Sequence, residues 1–144
     1  MYDNPWLLNG ISFTSEMIEG HIGFVYEITD LSNSKRYIGK KNFYSTRRLP
    51  PLKGKVKKRK KVAESDWKEY YGSSEEVKLL VEKNGINSFR REILHLCESK
   101  GIMSYCEAKI QFERDVLLRD DYYNEFIGCK IHSSHLKKLR NKHG

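Results

Sequence analysis

Tyr26, Tyr37, Arg47 and Glu107 are side chains of the types that phosphodiester hydrolysis needs. That reaction requires a water made nucleophilic, positive charge over the nonbridging oxygens and help for the leaving 3′-oxygen. Glu107 can supply a hard oxygen ligand to Mg2+ or Mn2+. Because Mg2+ keeps most of its waters and takes few protein ligands, one carboxylate is enough in principle. Arg47 offers a planar fork matched to a phosphate, and it stays charged at any working pH. A phenol with a pKa near ~10 is a poor base at neutral pH, so Tyr26 needs nearby positive charge to favour its phenolate.

Each candidate also has a plainer reading. Tyr26 and Tyr37 can be ordinary cross-strand aromatic partners. Ser104-Tyr105-Cys106-Glu107 has the form of a capping box, in which Glu107 reaches back to the helix start. Arg47 can simply be solvated, and Asn124 can be a turn residue. Cap and metal ligand are compatible roles for Glu107 in metal-free and metal-bound states.

The elements that must position these residues are legible in part. Gly23 to Thr29 is aromatic and β-branched, Asp30 to Ser34 is turn-rich, and Arg36 to Lys40 returns, which predicts a β-hairpin. Closure about Ser32 sets Tyr26 nearly opposite Tyr37 on one face, and a slip of one residue reverses that. A short helix is expected through Phe43, Tyr44 and Arg47, stopped by Pro50-Pro51. Lys53 to Lys61 is almost wholly basic, without an apolar period, and reads as a surface loop. Ser73-Ser74-Glu75-Glu76 opens a helix through Val77, Leu80 and Val81, with its stop at Asn84-Gly85. Phe89 to Cys97 is short enough for a third strand. A second helix is expected from Ser104 to about Arg119, with Cys106, Ile110, Phe112, Val116 and Leu117 on its apolar side.

These elements make an α+β fold, a small three-stranded antiparallel sheet flanked by helices. Residues 1–22, which include Trp6, Leu7, Leu8, Ile11 and Phe13, read as an N-terminal extension. Residues 23–128 form the main domain with its basic loop at 52–62, and 129–144 form a basic C-terminal tail.

The chain has 144 residues and a formal charge of +8, enough for one domain with a strong attraction to polyanions. Its nine tyrosines argue against wholesale disorder. Nucleic acid is the leading partner class, with Lys40, Lys41, Lys53, Lys55, Lys57, Lys58, Arg59, Lys60 and Lys61 placed to grip its backbone. The start, Met1-Tyr2-Asp3-Asn4-Pro5, is followed by no apolar targeting core, and no run is long enough to span a membrane. Three cysteines at irregular spacing fit a reducing, cytoplasmic setting. Cys97, Cys106, Cys129, His132 and His135 lack the paired knuckles of structural zinc, and buried thiols are the default expectation.

Phe24-Val25-Tyr26 followed by Tyr37-Ile38-Gly39 resembles the paired motifs of the GIY-YIG nucleases, with Phe and Val where Gly and Ile are usual. Members of that family place an arginine after the second motif, a glutamate on a later helix and an asparagine beyond it. Arg47, Glu107 and Asn124 fall in those places, five elements in order over roughly three-quarters of the chain. The resemblance implies a divalent-metal-dependent DNA endonuclease (Mg2+ or Mn2+) of the phage or mobile-element, homing-endonuclease-like kind. It implies Tyr26 as water activator, Tyr37 as a hydrogen-bond partner of phosphate or water, and Asn124 as a positioning group. Several members carry a histidine before the central helix that helps deprotonate the tyrosine. Here that stretch is Tyr70-Tyr71-Gly72-Ser73, leaving Tyr71, Lys68 or a metal-held hydroxide as the substitute base. Nicking or double-strand cutting, and a homodimer as one source of specificity, stay open. The rival reading is a noncatalytic basic DNA-binding module on the same fold.

Overall fold

The computed structural model describes residues 1–143. Its centre is strand β3 (Gly23–Asp30), buried along its whole length, as its aromatic and β-branched residues require. Strand β4 (Arg36–Asn42) returns antiparallel to it, and β7 (Phe89–Cys97) pairs antiparallel on its other side. The hairpin and the third strand are thus as expected.

The sheet is larger than three antiparallel strands. Two short strands, β1 (Leu7–Leu8) and β2 (Ile11–Ser12), extend it to five in the order β2-β1-β7-β3-β4, and β1 runs parallel to β7, so the sheet is mixed. Residues 1–22 are therefore built into the fold rather than appended to it. Trp6 and Phe13 are wholly buried, and Trp6 lies edge-on to Phe24 at 5.0 Å between ring centroids. Two-residue strands are too short for alternation to reveal, and a parallel partner more than eighty residues away leaves no local trace.

Arg91, on β7, ties this region down. Its guanidinium is fully buried and has no carboxylate partner among the described residues; it donates to the carbonyls of Asp3, Asn4 and Tyr70 and lies 4.2 Å from the centre of the Tyr71 ring. Several carbonyl acceptors and an aromatic face replace its hydration.

Helix α1 (Glu75–Asn84) begins at Ser74, whose hydroxyl accepts from the Val77 N–H, and ends at Gly85 with φ 87°. It covers the sheet face carrying Phe24, Tyr26 and Ile28. Helix α2 (Lys100–Glu113) covers the face carrying Val25 and Ile38. It starts a full turn before the expected Ser104, because Ser99 caps it by accepting from the Ile102 N–H at 3.2 Å. Ser104 and Glu107 therefore lie inside the helix and form no capping box. Asp115, at φ 51°, turns the chain away soon after its end.

Two further differences lie in the basic region. Arg47 is on a strand, β5 (Tyr44–Leu49), not on a helix, and Arg59, Lys60 and Lys61 are on its antiparallel partner β6 (Arg59–Glu64), not in a loop. Phe43, fully buried against Phe13, Phe24 and Trp67, anchors the ribbon's root. Beyond it, pairing rests on the backbone ladder, which a run of like charges does not announce. The C-terminal stretch is not a loose tail either. It forms a helix, α3 (Lys137–His143), and a preceding turn in which His135 packs on Gly101; a Cβ at Gly101 would meet that of His135 at 2.5 Å. No described helix is long and apolar enough to cross a membrane.

Candidate active site

The two motif tyrosines share one face of the sheet but are not opposite each other. Tyr26 pairs with Gly39 and Tyr37 with Ile28, so they are diagonal neighbours with ring centroids 6.3 Å apart. The hairpin closes with the Asp30 N–H on the Lys35 carbonyl, and Asp30 also holds Ser32 through its side chain. This offsets the register from closure about Ser32. Because the offset brings Tyr37 opposite Ile28, both rings keep the same face.

Gly39 is needed where it stands. A Cβ there would lie 2.3 Å from the Tyr26 hydroxyl oxygen, so the phenol ring occupies the space a side chain would fill. Tyr26 is fully buried, and its hydroxyl finds no hydrogen-bond partner among the described residues. Burial raises its pKa well above the ordinary phenol value, with the neighbouring Tyr70 and Tyr37 and the charge of Glu107 adding to the effect. The sequence-derived role as water activator needs the opposite shift. Tyr37 is half-buried and hydrogen-bonded to Ser73 Oγ at 2.9 Å; burial raises its pKa as well.

Glu107 approaches from the other face. From α2 it stands beside Lys40, with Nζ to carboxylate oxygen at 3.9 Å, while Lys40 donates to Ser104 Oγ at 2.7 Å. Burial raises the Glu107 pKa and Lys40 partly offsets it. Among the described residues the carboxylate accepts no hydrogen bond. A half-buried carboxylate that accepts no hydrogen bond among the described residues, with Lys40 at 3.9 Å, fits a hydrated Mg2+ or Mn2+, which needs few protein oxygens. No three His, Cys, Asp or Glu side chains converge among the described residues, at Glu107 or elsewhere.

Lys40 and Lys41 leave β4 on opposite faces. Lys41 pairs with Asp66 at 2.6 Å and lies 4.1 Å from the centre of the Tyr70 ring, which in turn packs edge-on against Tyr26. The outer edge of β4 is sealed at Arg36, where Asp121 and Tyr123 bond its backbone, and at Ile38. From Lys40 onward it opens into a cleft of about 1100 Å³ between the ribbon and α2, lined by Lys40, Lys41, Lys100 and Ser104 among others.

Ile38 is sealed by Asn124. Its Oδ1 accepts from the Ile38 N–H at 3.0 Å and its Nδ2 donates to the Ile38 carbonyl at 2.8 Å, to which Gln111 also donates. The amide thus completes the sheet ladder as a further strand would and holds Tyr37 and Gly39 in place. In this arrangement it is a clamp on the second motif rather than a group offered to phosphate.

The remaining candidates lie elsewhere. Arg47 stands opposite Lys61 on the ribbon and makes no contact with Tyr26, Tyr37 or Glu107. Tyr71 accepts from Asn4 and carries the Arg91 guanidinium on its ring, while Lys68 lies over Tyr2 and Trp67; both line a separate hollow with Met1 and Ile86. Lys53, Lys55, Lys57 and Lys58 are exposed in the connection between β5 and β6. Tyr70, which contacts Tyr26, belongs to the Tyr70-Tyr71-Gly72-Ser73 stretch, but nothing local in the sequence distinguishes it from Tyr71. Cys97 donates to the His95 carbonyl at 3.7 Å, and the closeness of Cys97 and Cys106 raises the former thiol and lowers the latter. Cys129 donates to the Ser104 carbonyl, and the His132 N–H donates to His135 within one turn.

A family model described as "Putative endonuclease segE, GIY-YIG domain" matches residues 6–140. The match begins at the buried Trp6 and so includes β1 and β2. No curated protein and no solved structure matches the chain.

Proposed function

The chain belongs to the GIY-YIG endonuclease family, and from that premise we propose that it is a divalent-metal-dependent endonuclease cutting double-stranded DNA at the open edge of β4. The observation that carries this reading is Glu107, a half-buried carboxylate that accepts no hydrogen bond among the described residues and stands beside Lys40, which lines the cleft together with Lys41, Lys100, Glu64 and Asp66. Glu107 would hold the metal, Mg2+ or Mn2+. When bound, the ion would supply Lewis-acid charge to the phosphate and lower the pKa of groups beside it.

The chain's own residues divide the remaining work. Lys40 and Lys41 draw the scissile phosphate to the edge and offset its charge. Tyr37, at the surface beside Ser73, donates to phosphate or water. Tyr26 is kept protonated by its burial; to accept a proton from the attacking water it would first have to release its own to solvent, which positive charge held at Glu107 would favour. Asn124 and Gln111 hold the strand on which Tyr37 and Gly39 stand.

The buried Tyr26 hydroxyl and the remote Arg47 favour one rival, a DNA-binding module without catalysis. Incubating supercoiled plasmid with Mg2+, Mn2+ or EDTA separates the two. Nicked or linear product is expected with either metal, none with EDTA, and a loss of at least about 100-fold in Glu107→Ala. Plasmid retained but uncut under every metal would support the rival, and undiminished cutting by Glu107→Ala would remove that residue from the metal site.

A further inference from the structure

The ribbon of β5 and β6 is a separate two-stranded sheet, and all but one of its twelve residues are exposed. An isolated two-stranded ribbon is marginally stable in water, and this one sets like charges directly opposite each other: Arg47 against Lys61 and Arg48 against Lys60. Such rungs repel unless a polyanion lies along them.

The register divides these rungs between two faces. Tyr44, Thr46, Val62 and Glu64 share one face and line the cleft beside Lys40 and Lys100; Ser45 joins them at the root. Arg48 and Lys60 continue that face outward. Arg47, Lys61 and Arg59 lie on the opposite face, turned away from the cleft. A cationic surface serving only the strand held in the cleft would be basic on one face.

We propose that this ribbon enters the major groove of duplex DNA, with the Arg48 and Lys60 rung on the phosphates of the strand in the cleft and the Arg47 and Lys61 rung on those of the complementary strand. The inference rests on the endonuclease reading and adds how the duplex is approached: through its major groove, with both strands held by the ribbon. The dimensions agree. The major groove, about 12 Å wide, admits a two-stranded β-ribbon, and the minor groove, about 6 Å wide, is half that width. Six rungs at about 3.4 Å give roughly 20 Å of ribbon to follow the groove. The basic connection from Lys53 to Lys58 then sits farthest from the scissile phosphate.

The test measures binding without cutting, by fluorescence anisotropy in EDTA with a duplex and a single strand of the same sequence. Removing two phosphate contacts lowers the salt slope by about 1.8 and affinity by about 10- to 30-fold at 0.15 M salt. Arg47→Gln with Lys61→Gln should do this for the duplex and leave single-strand binding unchanged, whereas Arg48→Gln with Lys60→Gln should weaken both. These changes relieve like-charge repulsion, and circular dichroism checks that the fold is kept. Methylating guanine N7 in the major groove should block binding, and methylating adenine N3 in the minor groove should not.

Equal losses on both substrates with Arg47→Gln and Lys61→Gln, or interference confined to the minor groove, would overturn the proposal. If the wild-type protein cuts duplex DNA and the ribbon variants bind it as wild type does, the ribbon inference alone fails. If the wild type neither binds nor cuts duplex DNA, the endonuclease reading fails with it.

Discussion

Replacing Asn124 by alanine tests whether its amide is a clamp on the second motif or a participant in the chemistry. The structure gives the cost. The substitution strips the acceptor from the Ile38 N–H, orphaning a buried donor at about 1–3 kcal/mol, and removes one of two donors to the Ile38 carbonyl at about 1 kcal/mol. Gln111 still serves that carbonyl, so the sum is about 2–4 kcal/mol. With an unfolding entropy near 2.1 cal/mol/K per residue, 144 residues give about 0.3 kcal/mol/K, and the melting temperature should fall by about 7–13 °C. Thermal unfolding followed by circular dichroism reads this directly. Plasmid cleavage per folded molecule, measured well below the transition, should fall much less than for Glu107→Ala. Asn124→Asp keeps an acceptor for Ile38 but turns a carboxylate toward its carbonyl, and should destabilise comparably. A variant that melts with the wild type yet has lost cleavage would refute the clamp and return Asn124 to the reaction.

Tyr26→Phe removes a buried hydroxyl without a partner, so stability should be unchanged or higher by up to about 1 kcal/mol while cleavage collapses; a large destabilisation would show that the hydroxyl is bonded. Glu107 has a raised pKa in the fold, so its charge opposes folding at pH values above the ordinary carboxylate range. Glu107→Gln should accordingly be more stable than wild type at neutral pH, an advantage that vanishes in denaturant titrations below about pH 4.5, where the carboxyl is protonated in both states. Arg91→Leu orphans carbonyls of Asp3, Asn4 and Tyr70 and should cost about 3 kcal/mol or more in urea unfolding, whereas the exposed Arg90→Ala should change stability by less than about 1 kcal/mol.

What the chain reveals on its own is what local pattern carries. The aromatic and β-branched run and the turn residues of Gly23 to Lys40 mark a hairpin, Phe89 to Cys97 marks a third strand, and the order of Tyr26, Tyr37, Arg47, Glu107 and Asn124 points to the family whose model matches residues 6–140. The positions of those residues depend on partners distant in sequence. Trp6 enters the core because β1 finds a parallel edge on β7, and Arg47 leaves the site because Phe43 anchors a strand where a helix was expected. Asn124 spends its amide on Ile38, 86 residues away, where the β4 edge would otherwise be open. Strand pairing, burial and edge sealing are long-range solutions to the need to satisfy backbone polar groups and bury apolar surface. Residue types therefore told which chemistry is available, and only the assembled sheet decided which side chains reach it.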